Sequence, residues 1–341
     1  MRLMIVFLLL LSFIPADLLA QSYPLYFYAQ HLRISDPYTA ALGMSGAAYR
    51  EGLLAPYTNP AGLARLDRIE IGYSRIPSVE TGYENDEDIY GQNTFSIGAL
   101  LGYGIVAGLS YMNFDMGEIS NSDNTGVRQY TLSIAKLHTL SENQFVSIGI
   151  NVKRLEYLYN ILDENSYLFD IGFQTNIKFS ENWASFGLAL HNLGSDLESK
   201  QGFLKFKEKA YKYLQAGIAF GNTKLDISGM NKSPKFMITM EYQKDMDNEF
   251  NMSEWQLLGL GFELRFFNYF ILQTGYLVNL NDDIDDDIIN GMTYGLGFET
   301  PEVDMNIPVI WSVHYGRGMD IPGLDVNTIS ISVGHKLGTG Y

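Results

Sequence analysis

The chain of 341 residues contains no cysteine. A disulfide framework and a thiolate metal site are therefore excluded, and we expect no lipoprotein-type anchor, since that needs a thiol. Charged residues are scarce, at 18% of the chain, and acidic ones prevail to give a formal net charge of −16. Because phosphate binding needs positive charge, this balance argues against nucleic acid as a partner.

Long apolar runs are missing beyond residue 20, where no stretch approaches the roughly 18 apolar residues of a membrane-spanning helix. Residues 1–20 differ from the rest. They begin with Arg2, continue through an apolar run from Ile5 to Phe13 and end on the small residue Ala20. This order predicts a secretory signal peptide, with a permanent N-terminal anchor as the alternative.

The rest of the chain contains short runs in which apolar and polar residues alternate. From Phe145 to Lys153 the apolar residues fall on one parity and the polar or small residues on the other. Similar runs of about ten residues recur from residue 69 onward, separated by turn residues. A period of two indicates strands with one apolar and one polar face. The connections alternate between short turns and longer polar loops, which include residues 114–126 and 155–166.

Glycine (33 residues) and aromatic residues (13%) are abundant. The polar face of the runs is rich in glycine, which suits a crowded lumen, and aromatics cluster near the run ends, as in membrane-barrel girdles. The sequence therefore predicts an all-β protein, an antiparallel transmembrane β-barrel of about 14 strands in a bacterial outer membrane. The barrel is expected over residues 67–341. A soluble all-β protein is the alternative.

Residues 21–66 break the strand pattern. They contain two motifs of small residues, ALGMSGA and NPAGLA, about ten residues apart. Small residues let backbones approach closely, and Asn-Pro favours a turn. Because this segment directly precedes the first strand, we expect it to fold back into the lumen as an N-terminal hatch or plug.

The two motifs resemble the opening of the PorV/PorQ family of outer-membrane proteins and, more distantly, of FadL-type transporters of long-chain fatty acids. The sequence GLALHNLG at residues 187–194 is similar to a strand end of the same family. The resemblance implies a hatch inside a barrel of fourteen strands. The hatch role is carried over to Gly43, Gly46, Asn59, Pro60, Ala61 and Gly62.

Six charged residues have the parity of the expected lumen: Lys153, Asp170, Glu241, Glu263, Arg265 and Glu299. They would either pair with one another and with the plug, or line a pathway for a solute. No catalytic constellation is visible, since the five histidines are scattered, so we expect neither an enzyme nor a cofactor. The acidic run Asp282–Asp287 is expected to be a solvated loop rather than a metal site, although divalent ions could bridge it to lipopolysaccharide.

Two functions follow from the resemblance. The first is a component of type IX secretion or cell-surface protein export, with secretion-system proteins or cargo as partners. The second is a FadL-like channel for hydrophobic small molecules such as fatty acids or aromatic hydrocarbons; a purely structural barrel is a third. A hydrophobic pathway should place apolar residues on lumen positions near the outer strand ends. Met237, Leu257 and Ile310 are such residues.

Overall fold

The structure is a computed structural model. It describes residues 36–80, 89–118, 124–159, 162–194, 197–198, 207–208, 212–222, 234–246, 256–267, 269–280, 291–300, 309–320 and 324–335. The expected signal peptide, the first part of the expected plug and the acidic run at 282–287 lie outside the described residues. Among the residues it does describe, no helix is long and apolar enough to cross a membrane.

Alternating apolar and polar residues form long strands. The strands are β1 (Ile69–Glu80), β2 (Ile89–Gly102), β3 (Ile105–Glu118), β4 (Asn124–Ser141), β5 (Gln144–Tyr159), β6 (Leu162–Phe179), β7 (Asn182–Gly194), β8 (Leu197–Glu198), β9 (Lys207–Glu208), β10 (Tyr213–Asn222), β11 (Lys235–Asp245), β12 (Gln256–Phe266), β13 (Phe270–Asn279), β14 (Gly291–Glu299), β15 (Val309–Asp320) and β16 (Leu324–His335). All but the short β8 and β9 belong to one sheet.

That sheet is a closed antiparallel barrel of 14 strands. Each strand pairs with its neighbours in sequence, β10 pairs with β7, and β1 closes the barrel against β16 with Ile69 opposite His335. The expected fold class and strand number are therefore confirmed. Strands β8 and β9 form a separate two-stranded sheet that the sequence pattern does not indicate.

The two faces of the wall have opposite chemistry. On β5, outward-pointing Ile148 and Ile150 are 58% and 51% exposed, whereas inward-pointing Asn151 is fully buried. The same alternation of exposed apolar and buried polar or small residues continues around the barrel. This is the inverse of a soluble protein and matches a surface that contacts lipid.

The two ends of the barrel differ in their connections. At one end, here called the inner end, turns of two or three residues join β2 to β3, β4 to β5, β6 to β7 and β12 to β13. Such short turns face the periplasm in outer-membrane barrels. At the opposite, outer end, β5 continues to Tyr159 and β6 begins at Leu162. The expected loop at 155–166 is therefore wrong, because cross-strand pairing persists almost to the tip of this hairpin.

Aromatic side chains lie near both ends. On the outer side of the exposed Leu109 and Leu132, Tyr111 and Tyr130 have ring centroids 5.2 Å apart. At the inner end, Phe298 packs against Phe270 and Trp311 at 5.3 and 4.9 Å. Two aromatic clusters at opposite ends of an apolar band are typical of the two lipid–water boundaries.

Residues 36–66, here called the luminal segment, lie inside the barrel. The segment contains a short helix α1 (Pro37–Ala40) and two 3-10 helices, Ala55–Tyr57 and Pro60–Arg65. Asp36 is the N-cap of α1, and its Oδ1 accepts a hydrogen bond from the Tyr38 backbone amide at 3.2 Å. Most residues of the segment are buried. It therefore fills the lumen at the level where it touches the wall.

Candidate functional site

The luminal segment touches the wall through a ring of glycines, here called the glycine belt. It has one glycine on each of eleven strands: Gly72, Gly98, Gly108, Gly149, Gly172, Gly187, Gly217, Gly259, Gly275, Gly295 and Gly316. A Cβ atom added at Gly187 would lie 1.9 Å from the Ala47 carbonyl oxygen, and one at Gly316 would lie 2.0 Å from that of Pro37. Only glycine admits such close backbone contact.

The path of the segment follows the belt around the lumen. Pro37 lies against β15, Gly43 against β12 and β13, Ala47 against β7, Pro60 against β5 and Leu63 against β3. The segment thus makes nearly a full circuit of the inner wall. Its turn at Gly43 has a φ of +65°, and a Cβ there would lie 2.6 Å from the Leu260 oxygen. Glycine is required at this position both for the turn and for the approach.

Asn59 ties two parts of the segment to the wall. Its Oδ1 caps the second 3-10 helix by accepting from the Ala61 amide at 3.0 Å, with Pro60 in the first helical position. Its Nδ2 donates to the carbonyl oxygens of Ala47 at 2.7 Å and Phe173 at 2.9 Å. Asn59 and Pro60 therefore form the start of the helix, and the Asn59 side chain also joins the segment to β6.

The other residues of the two motifs pack within the segment. A Cβ at Gly46 would lie 2.5 Å from Thr39 Cγ2, and one at Gly62 would lie 2.1 Å from the Arg50 oxygen. Ala61 is fully buried. The structure therefore brings all six candidate hatch residues into the lumen, at or beside segment–wall or segment–segment contacts.

Glu241 on β11 replaces glycine in the belt and holds the segment by charge. Its Oε2 accepts from the amides of Gly46 at 2.7 Å and Ala47 at 2.6 Å. Its Oε1 accepts from the side-chain amides of Gln215 at 3.2 Å and Gln243 at 3.0 Å. Four donors around one buried carboxylate stabilise its charge in a site that excludes water.

Lys153 and Asp170 form a buried ion pair between β5 and β6, with 2.6 Å between Nζ and Oδ2. Asn151 Nδ2 donates to the same carboxylate at 2.7 Å and to the Pro56 oxygen at 2.9 Å. The backbone amide of Asn192 donates to Asp170 Oδ1 at 2.9 Å, and Asn192 has a φ of +58°. The predicted strand-end motif thus bends β7 so that its backbone reaches this carboxylate.

Glu263, Arg265 and Glu299 lie together nearer the inner end. Arg265 Nη1 is 2.6 Å from Glu299 Oε2, and Arg265 Nε is 3.4 Å from Glu263 Oε1. The Tyr38 hydroxyl of α1 donates to Glu263. Of the six predicted lumen charges, three therefore form this cluster, two form the Lys153 pair and Glu241 stands apart between them.

A cavity of about 500 Å³ opens below the luminal segment at the inner end. Its walls come from the segment itself and from strands on both sides of the β1–β16 closure. Basic side chains and serine hydroxyls contribute much of the lining, among them Arg65, Lys235, Arg265, Ser312 and Ser332. This end of the lumen is thus polar and highly charged.

The outer half of the lumen combines buried polar side chains, such as Gln92, Thr94 and Thr131, with a set of large apolar ones. Between the glycine belt and the outer end, nine large inward-facing side chains are apolar or aromatic and buried: Ile76, Met112, Phe114, Val127, Leu155, Leu168, Tyr213, Leu257 and Leu277. Phe114 and Val127 face each other across β3 and β4. We call these residues the apolar belt.

Of the three residues that were expected to mark such a pathway, only Leu257 belongs to the apolar belt. Met237 lies at the inner end of β11 and packs against Tyr38 and Leu42 of the luminal segment. Ile310 lines the cavity at the inner end. The sequence alone does not show that the other eight residues of the belt point inward. Their orientation follows from the structure, which shows how far the strands extend toward the outer end.

Neither the search of protein-family models nor that of curated proteins found a match. Solved structures do share the fold. A deltaS2S3 mutant of the P. putida TodX monoaromatic hydrocarbon channel superposes with a TM-score of 0.55 at 10% identity, covering 88% of this chain and 98% of that one. The Ralstonia pickettii toluene transporter TbuX gives 0.50 at 9% identity, covering 87% and 96%. A Pseudomonas aeruginosa FadL homologue gives 0.50 at 9%, covering 89% and 98%.

At these identities the likeness concerns the fold. The chain is an integral β-barrel with the fold of FadL-like outer-membrane channels. Its apolar exterior and this fold place it in a bacterial outer membrane.

Proposed function

We propose that the protein is a gated channel for hydrophobic small molecules, with the luminal segment as its hatch. The observation that carries the proposal is the apolar belt. A water-filled barrel has a polar interior. An inner wall with Met112, Phe114, Val127 and Leu155 instead favours an apolar solute by about 25 cal/mol for each Å² removed from water.

The luminal segment closes the path below the apolar belt. A solute has to pass between the segment and the wall, so part of the segment must move. Many of its attachments to the wall are neutral hydrogen bonds, such as Gly43 N to Thr293 Oγ1 at 2.9 Å and Gln243 Nε2 to Met44 O at 3.2 Å. Each such bond contributes only about 1 kcal/mol net to the stability of the closed segment. Thermal motion is therefore sufficient to open the segment locally.

The comparisons support this function better than the secretion role that the sequence first suggested. TodX is named a monoaromatic hydrocarbon channel and TbuX a toluene transporter. A role in surface-protein export rests on the resemblance of the ALGMSGA and NPAGLA motifs to PorV/PorQ proteins. We infer that the partner is a hydrophobic solute taken from the lipopolysaccharide-bearing outer surface, and that the protein performs no catalysis.

Uptake by whole cells tests the proposal. Bacteria that express the protein should accumulate labelled toluene or oleate several-fold faster than cells with an empty vector. Phe114→Gln should slow this uptake by about tenfold, because a polar amide in the belt raises the free energy of the apolar solute there. Phe114→Leu keeps the belt apolar and is the matched control.

Two results would contradict the proposal. One is uptake at the vector rate by cells whose outer membrane contains the folded barrel. The other is a change in the secreted proteins of a strain that lacks the gene, with exported proteins retained in the periplasm, while solute uptake is unaffected. That second pattern would support the export function instead.

A further inference from the structure

The cavity at the inner end collects positive charge in an otherwise acidic protein. Its lining has five basic side chains, Arg50, Arg65, Arg68, Lys235 and Arg265, against three acidic ones, Glu51, Glu70 and Glu299. The whole chain carries a net charge of −16. A cavity with this lining is therefore the place where an anion, rather than a cation, would find complementary groups.

The arginines of the cavity already have carboxylate partners. Each lies within ion-pair distance of at least one acid: Arg50 with Asp36, Arg65 with Glu51, Arg68 with Asp67 and Glu70, and Arg265 with Glu263 and Glu299. Lys235 is different. Within the part of the chain that the structure describes, no hydrogen bond or ion pair is formed by its ammonium group.

Lys235 also lies directly opposite Arg265 in the register of β11 and β12. Like charges that face each other across two strands destabilise the sheet, and a half-buried ammonium without a partner adds a desolvation cost. Arg265 binds Glu263 and Glu299 through Nε and Nη1. Its Nη2 has no acceptor among the described residues, so both cations retain donors for a ligand.

Hydroxyl groups complete the donor set. Ser312, Ser330 and Ser332 line the same cavity. The hydroxyls of Ser312 and Ser332 are 2.9 Å apart, and either can be the donor. The volume of about 500 Å³ falls in the range of small-molecule sites.

We propose that this cavity is a binding site for a small oxyanion, a carboxylate or a phosphate group, with Lys235 and Arg265 as its charged donors. The anion would have one of two sources. It would be carried by a solute that descends through the lumen, or by a molecule that enters from the periplasm. The inference stands on the cavity alone and does not depend on the hydrophobic solute proposed above.

Titration calorimetry on the purified full chain in detergent tests the site with benzoate and with inorganic phosphate. At least one anion should bind saturably, and less tightly at high salt. Lys235→Met should weaken that binding by about tenfold or more, the scale of one charge-assisted hydrogen bond. Lys235→Arg should retain it. The matched control is Lys136→Met, at an exposed lysine on the outer face of β4.

The two ligands separate the two sources. Benzoate binding without phosphate binding supports a carboxylated solute, whereas phosphate binding supports a periplasmic ligand. The proposal is overturned if neither anion binds saturably to the folded barrel, or if Lys235→Met binds the anion as tightly as the original protein. Toluene uptake should be equal in the original protein and Lys235→Met, which separates a failure here from a failure of the proposed channel.

Discussion

Asp170 is fully buried in the barrel wall, where its charge is balanced by groups from neighbouring strands. Lys153 supplies the opposite charge, and Asn151 and the Asn192 amide supply hydrogen bonds. A buried pair of this kind contributes less than its Coulomb attraction suggests, because both ions lose their hydration. Breaking it is costly, however, since one charge then stays buried without its partner.

We therefore expect Lys153→Met to destabilise the barrel by about 3–5 kcal/mol. Urea unfolding in lipid vesicles measures the effect. The double variant Lys153→Met with Asp170→Asn should be less destabilised than the sum of the two single changes, because no uncompensated charge remains. Additive effects would show that the pair is not coupled. Lys136→Met, on the outer face, should leave stability within about 0.5 kcal/mol.

Three tyrosines of the luminal segment are buried deeply enough to raise the pKa of their hydroxyl groups. Burial raises the pKa of Tyr57 to about 12 and the pKa values of Tyr38 and Tyr49 well above their usual range. The folded state thus keeps protons that the unfolded chain releases near pH 10. The contribution of these tyrosines to stability should be constant below pH 10, and stability should fall as pH rises from about 10 to 12.

Thermal unfolding between pH 8 and pH 12 checks this expectation. Tyr57→Phe removes one of the groups and should reduce the alkaline loss of stability by roughly 2–3 kcal/mol at pH 12. An identical pH dependence in the variant would show that Tyr57 is ionised within the folded barrel. Phenolate absorbance in the same samples reports the ionisation directly.

At the scale of elements, the glycine belt and the luminal segment act as one unit. Gly187→Ala would place a methyl carbon 1.9 Å from the Ala47 oxygen, so the segment has to shift. We expect a loss of stability of about 1–3 kcal/mol, as for other overpacked contacts. Gly91→Ala is the control, because its methyl would meet only the Ile76 oxygen at 4.0 Å. Equal midpoints of thermal unfolding for both variants would contradict the close contact.

Glu241 anchors the part of the segment that lies near β11. Glu241→Gln keeps the size of the side chain but removes the charge that two segment amides share. Charge-assisted hydrogen bonds are roughly twice as strong as neutral ones, so the segment should loosen. Single-channel recordings in planar bilayers should then show more frequent openings. Recordings indistinguishable from those of the original protein would mean that Glu241 does not restrain the hatch.

The sequence predicts the elements better than their contacts. A strict period of two, as at Phe145–Lys153, identifies a strand and its faces because side chains alternate regardless of which neighbour a strand meets. The Asn59-Pro60 pair and the small residues near Gly43 identify the segment that enters the lumen. The partners of these residues, such as Glu241 or Thr293, depend on barrel register, which no single strand encodes.

Apart from Leu257, the apolar belt escapes a reading of the sequence for the same reason. Members such as Phe114 and Leu155 lie where the strands continue beyond the periodic core, in segments that resemble loops. Pairing between neighbouring strands keeps these ends ordered, and that pairing is a tertiary effect. Lys235 was likewise missed, since only the register of β11 and β12 brings it opposite Arg265.

For the whole molecule, the proposed transport requires the luminal segment to move relative to the wall. The chain has no cysteine, so a single introduced disulfide can test this without side reactions. A Cβ at Gly217 would lie 3.4 Å from that of Ala48. This separation is close to that of natural disulfides.

The pair Ala48→Cys with Gly217→Cys should therefore lock the segment to β10. Uptake of labelled toluene should fall to the vector rate when the pair is oxidised and recover when a reductant is added. Ser312→Cys with Ser332→Cys is the control, because it joins two wall strands and leaves the segment free. Full uptake by the oxidised Ala48–Gly217 pair would show that the solute bypasses this contact.

The circuit of the luminal segment also makes its contacts depend on closure of the wall. Residues 36–66 precede β1 in the chain, yet they touch strands from β1 to β15. These strands surround the segment only when β1 is paired with β16. The attachments of the N-terminal portion are therefore complete only in the sealed barrel, so a variant that weakens the seam should also loosen the segment.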